Sequence, residues 1–250
     1  MSGFAKLRGY LELVDKVRPL AKHIADEVSK RLHAEPTKLS LRERVLIGLA
    51  LKMYSSFECL VEDGRVNRSG AMHHLKTLME TFVYFHWVGQ DTGDMRAKLV
   101  FAKGLHRKTV FFEKNIGYAE ESTHRSWTQS FEEAIRGLET EWKGFKDRSL
   151  EKLAEETGQS LAQWYNRVYR LACEPAHITD LAEYMPLPGK PIHIGETPTS
   201  RLWADIALDY GLYIILDVLK NSSDLYELGL GDKIADLLSK HSETRMLPSG

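Results

Sequence analysis

Arg170 and His177 are the two residues whose types and spacing fit a defined chemistry. Cleaving RNA without a metal requires a base to take the proton of a ribose 2'-hydroxyl, and an imidazole titrating near neutrality does this. It also requires a fixed cation for the charge that grows on the phosphate, which a guanidinium supplies in bidentate geometry. On an unbroken helix their separation amounts to two turns, with both side chains on one face about 10 Å apart. Pro175 lies between them and can lengthen or shorten that distance. The competing reading is structural: Arg170 pairs with Glu174 one turn on, and His177 packs at the start of the next helix.

Further groups surround this pair in the sequence. Trp164, Tyr165 and Tyr169 precede it beside Arg167, an arrangement that stacks bases or, equally, fills a core. His73 and Glu80 lie on one helical face with Thr77, Tyr84 and Trp87, so the Glu80 carboxylate can orient His177, answer Arg170, or pair at the surface with Lys76. A metal-binding alternative draws on Glu121-Ser-Thr-His124 and Glu174-Pro-Ala-His177, with Glu58 and Glu80 on other helices, the ligand inventory of a di-iron or di-manganese bundle. Against it, the first pair falls in a polar segment expected to be a turn, and Pro175 interrupts the second. Asp205, Asp209 and Asp217 form an acidic stripe on an apolar helix, expected as its wet edge; if it faces inward it needs cationic or hydroxyl partners. The adjacent His73 and His74 point about 100° apart and seldom share a metal. The run His106, Arg107, Lys108 reads as a solvated face.

Helices must position these groups. Tyr10, Val14, Val17, Ala21, Ile24, Val28 and Leu32 recur at spacings of three and four, predicting a first helix bent at Pro19. Ser40 with Glu43 is a capping box opening a second helix with a stripe through Leu46, Leu49, Ala50, Met53, Phe57 and Leu60, closed by Gly64. A third helix covers 69–87, and a fourth follows through Leu99, Phe101, Leu105, Phe111 and Phe112. A fifth, polar one covers 127–145, then one at 161–173 and two at 201–220 and 223–241. The stretch 185–200 holds four prolines and two glycines and reads as the long loop. No strand-period segment, internal repeat or Gly-rich phosphate loop is evident, so the expected fold is an all-α, single-domain bundle of about seven to nine helices. Residues 1–38 are expected as an N-terminal helix on the bundle, 39–241 as the bundle and 242–250 as a disordered tail.

Composition narrows the partners. The balance of 34 Lys and Arg against 35 Asp and Glu gives a net charge of -1, so no global field recruits nucleic acid or an anionic membrane, no DNA partner is expected, and a polyanion site must be a local patch. Cys59 and Cys173 make no disulfide framework and no metal-ligand spacing, which suits a reducing cytoplasm. The start of the chain lacks a signal-peptide pattern, and the three aspartates make 202–219 a buried helix rather than a membrane span.

Arg170-LACEPA-His177, late in an all-α chain, resembles the Arg-x4-6-His motif of the HEPN superfamily, which includes metal-independent ribonucleases and non-catalytic nucleotide-binding domains. Leu171 departs from that pattern, whose active members usually carry a polar residue there. The stretch LKTLMETFVYFHWVG with Glu80, followed by YNRVYRLACEPAH, resembles a bacterial helical family catalogued as a domain of unknown function. That resemblance implies Glu80, Tyr165, Tyr169 and His177 as its defining positions. Together these give the expected function: a homodimer that binds RNA or a nucleotide and cleaves RNA with no cofactor. Arg170, His177, Glu80 and Tyr169 are the catalytic set, and Tyr165, Arg167 and His73 the binding set. The rival class is a non-catalytic interaction or scaffold protein.

Overall fold

α3 (Gly70–Gly89) is the helix around which the others assemble, because its sequence is apolar on nearly every side. In the computed structural model it packs against α2 (Leu41–Arg65), α4 (Met95–Lys114), α7 (Leu150–Thr157) and α10 (Ser200–Leu225). It also contacts the rod formed by α8 (Gln159–Trp164), a π-helical turn (Tyr165–Tyr169) and α9 (Arg170–Cys173). The structure describes residues 3–34, 39–66, 70–115, 121–173 and 200–247, and among these no strand occurs. The all-α bundle expected from the sequence is the observed fold.

α1 (Gly3–Ala34) continues through Pro19 and lays Tyr10, Val14, Val17, Ala21, Ile24 and Val28 into the core against α10, α11 (Gly231–Arg245) and α2. At the head of α2 the capping box forms in both directions: Ser40 Oγ accepts from Glu43 N at 3.2 Å, and Glu43 Oε2 accepts from Ser40 N at 2.7 Å. Arg42 ties this end to the end of α3, donating to Gly89 O at 2.6 Å while its own N donates to Asp94 Oδ1 at 2.8 Å.

Several local expectations give way to packing. α2 ends at Arg65, one residue past the Gly64 expected to close it, and Gly64 has a second role: it is buried where a Cβ would stand 3.1 Å from Leu208 Cγ, so glycine there permits close approach of α10. The segment expected as one helix over 127–145 is two, α5 (Glu121–Ile135) and α6 (Glu139–Phe145), separated at Gly137 with φ 75°. α7 escaped the periodicity argument because it is short, although Ser149 caps it by accepting from Lys152 N at 3.2 Å. α11 reaches Arg245, past the predicted end at 241, because Arg245 pairs with Asp209. Phe101 and Phe111, assigned to the apolar stripe of α4, are 44% and 50% exposed.

Candidate functional site

The π-helical turn brings the aromatic residues of the rod onto α3. Widening a helix by one residue per turn re-aims the side chains that follow, and such turns occur often at functional sites. Here the Tyr165 and Tyr169 rings stack with centroids 4.7 Å apart and planes at 15°. Tyr169 Oη donates to Glu80 Oε1 at 3.2 Å across a sequence separation of 89 residues. Lys76, one turn before Glu80, holds its ammonium 5.7 Å from the centroid of the Tyr169 ring. Lys76 thus meets the ring, and Tyr169 meets the Glu80 carboxylate.

Burial, and then the Glu80 charge, raise the Tyr169 phenol well above its ordinary range. Tyr169 is therefore a protonated donor at neutral pH and not a base. Burial also pushes Tyr165 up to about 12, with Glu151 acting in the same direction. Tyr165 is only 8% exposed, so it lies in the packing beneath its stacked neighbour.

Arg170 stands beside this contact and points outward. Its side chain is 72% exposed, with Nη2 3.6 Å from Glu151 Oε1 of α7. Arg167 and His73 are also exposed. Among the candidate residues, Glu80, Tyr165, Tyr169 and Arg170 share one end of the rod, while His177 and Glu174 lie outside the described residues. The face expected to carry His73 and Glu80 together with Trp87 divides: Trp87 is 2% exposed and stacks on Phe145 at 5.1 Å.

The DUF5677 profile, described as a family of unknown function, matches residues 43–186. The chain belongs to that family. The family match spans α2 through α9, so Glu80 and the aromatic rod fall inside it, while α1, α10 and α11 lie outside. No curated protein and no solved structure matches the chain.

The carboxylates proposed as metal ligands are dispersed among other partners. Glu58 accepts from Arg18 Nε at 3.1 Å, and Glu121 from Arg125 at 2.7 Å. Glu121 and His124 lie on α5 rather than in a turn, and His124 stacks on Phe112 with centroids 4.4 Å apart. Among the described residues, no group of three or more His, Cys, Asp or Glu side chains is arranged to hold a metal ion.

The acidic stripe is not a wet edge. Asp209 is 13% exposed and is held by His241 Nε2, 2.9 Å from its Oδ1, and by Arg245 Nε, 3.2 Å from its Oδ2. Asp217 Oδ2 lies 2.8 Å from His86 Nε2 and also accepts from Asn221 at 3.1 Å. Desolvation raises the Asp205 carboxyl above its usual range. Histidines on α3 and α11 supply the partners that inward-facing carboxylates need. The His86–Asp217 pair opens onto a cavity of about 260 Å³ bounded by Phe82, Trp164 and Tyr213. The sequence signalled it only as an aspartate and a histidine on two apolar helices. Among the described residues, no helix is long and apolar enough to cross a membrane.

Proposed function

We propose that this protein is a HEPN-like, RNA-binding helical bundle that works as a homodimer and cleaves RNA without a metal at the Arg170 end of the rod. The observation that carries this reading is the Tyr169–Glu80 hydrogen bond, which joins two distant segments of the family match beside a solvent-facing arginine. In the reaction, His177 takes the proton of a ribose 2'-hydroxyl, and that oxygen attacks the adjacent phosphorus. The 5'-oxygen leaves and takes up the proton from the imidazolium. The products are a 2',3'-cyclic phosphate and a 5'-hydroxyl. Arg170 neutralises the charge that builds on the phosphoryl oxygens. Tyr169, kept protonated, fixes Glu80, and the Glu80 carboxylate orients the imidazole.

The test is to incubate the folded protein with unstructured and structured RNAs and assay the new ends. Fragments ending in cyclic phosphate, absent with His177→Ala, are expected. Intact RNA in the presence of folded wild-type protein defeats the reading. A second reading, a non-catalytic interaction protein, is favoured by the contact of Arg170 with Glu151, which gives the arginine a structural partner.

A further inference from the structure

A groove runs between α2 and α4 on the side of the molecule reached by Tyr84, one turn beyond Glu80 on α3. Its volume is about 580 Å³, within the range of about 300–1,000 Å³ typical of ligand sites. Five cations line it, namely Arg44, Lys52, Lys103, Arg107 and Lys108, and none of the described lining side chains is acidic. In a chain of net charge -1 this is a local positive patch, not a consequence of composition.

The floor between the cations is apolar. Phe101, 44% exposed, and Tyr84 present ring surface there. Lys103 lies over Tyr84 and Phe145, 5.8 Å and 5.0 Å from their centroids. Gly48 on α2 and Gly104 on α4 leave the channel open, since a Cβ at either would meet nothing within 4 Å. An exposed phenylalanine amid arginines and lysines is a poor surface for water alone, and a suitable one for a ligand that is anionic along one edge and aromatic along the other.

We propose that this groove is the path of a single-stranded RNA, with phosphates on Arg44, Lys52, Arg107 and Lys108 and unpaired bases against Phe101 and Tyr84. The inference rests on the reading that RNA is the partner, and it adds where the strand lies and that it must be unpaired. Basic grooves with aromatic platforms bind single strands because every base has a π face, whereas the bases of a duplex are stacked on one another. From Val100 to Lys108, α4 advances about 12 Å, enough to follow a few successive nucleotides. The groove and the Tyr169–Glu80 contact share α3, where Tyr84 and Glu80 stand one turn apart.

The test is fluorescence anisotropy of a labelled oligouridine, and of the same label in a duplex, over a range of salt. The proteins compared are the wild type, the triple variant Lys52→Ala/Arg107→Ala/Lys108→Ala, Phe101→Ala, and Arg170→Ala/His177→Ala. All three groove lysine and arginine positions are exposed, as is Phe101, so these variants keep the fold. Single-strand binding is expected to weaken by at least about tenfold in the triple variant, with the slope of log K against log salt reduced by about 2. Phe101→Ala is expected to lose about fivefold or more, while Arg170→Ala/His177→Ala keeps most of the binding. Unchanged affinity in the triple variant, equal affinity for duplex, or equally effective competition by a mononucleotide or by phosphatidylglycerol vesicles overturns the groove assignment. So does the absence of wild-type binding. Groove-dependent binding with no wild-type cleavage leaves this assignment standing and removes the catalytic reading instead.

Discussion

Two clusters in this molecule have similar ingredients and opposite settings. Near the junction of α1, α10 and α11, Asp209 sits between His241 and Arg245, with Tyr10 close by, and His241 is 3% exposed. At the end of the aromatic rod, Glu80 sits beside Tyr169, with Arg170 72% exposed. In the first, Asp209 has a buried histidine and an arginine of α11 within ion-pair distance, and burial and Asp209 hold the Tyr10 phenol far above its ordinary range. In the second, the carboxylate and phenol are fixed but the guanidinium faces solvent, 3.6 Å from Glu151. A cluster that satisfies itself is architecture, whereas one that leaves a cation outward can meet a ligand.

Substitutions sharpen this difference. The largest effect is expected from His241→Ala, which removes the buried partner of Asp209, leaves that carboxylate to the half-exposed Arg245, and should cost about 3 kcal/mol in urea unfolding. A loss below about 1 kcal/mol would erase the contrast. Next is the pH dependence set by Tyr165, pushed up to about 12 in the fold. Between an unfolded value of about 10 and that folded value the native state binds the extra proton, so stability falls as pH rises through this window. Tyr165→Phe should flatten the fall, as measured by denaturation across the alkaline range. The smallest effects belong to the open cluster. Tyr169→Phe should cost about 1 kcal/mol through the lost hydrogen bond to Glu80. Arg170→Ala should stay within about 0.5 kcal/mol, as exposed ion pairs do. A larger loss at Arg170 than at Tyr169 would make Arg170 structural and favour the interaction-protein reading.

Much of the scaffold was legible from local pattern. The α1 stripe, the Ser40–Glu43 box and the all-α class depend on spacings of three and four and on short-range hydrogen bonds, which the chain encodes within a turn or two. The family resemblance also implied Glu80, Tyr165 and Tyr169 as defining positions, and these three meet in the structure. Their contact was not legible, because Tyr169 could as easily have turned its phenol to water and left Glu80 to Lys76.

The remaining features depend on helices far apart in sequence. Whether Asp209 and Asp217 are wet or buried depends on where α3 and α11 lie against α10, and no periodicity within α10 contains that. Gly64 reads as a helix stop, and its second role, the close approach of Leu208, depends on where α10 packs. Phe101 belongs to the α4 stripe by spacing, yet the separation of α2 from α4 leaves it lining an open groove with Lys103 and Arg107. The sequence by itself determined most of the helices, the Ser40–Glu43 cap and the buried face of α1, because these follow from neighbours along one helix. Only the tertiary structure decided which charges are paired, which aromatic rings meet and where an open basic channel remains, because each of those is set by the packing of separate helices.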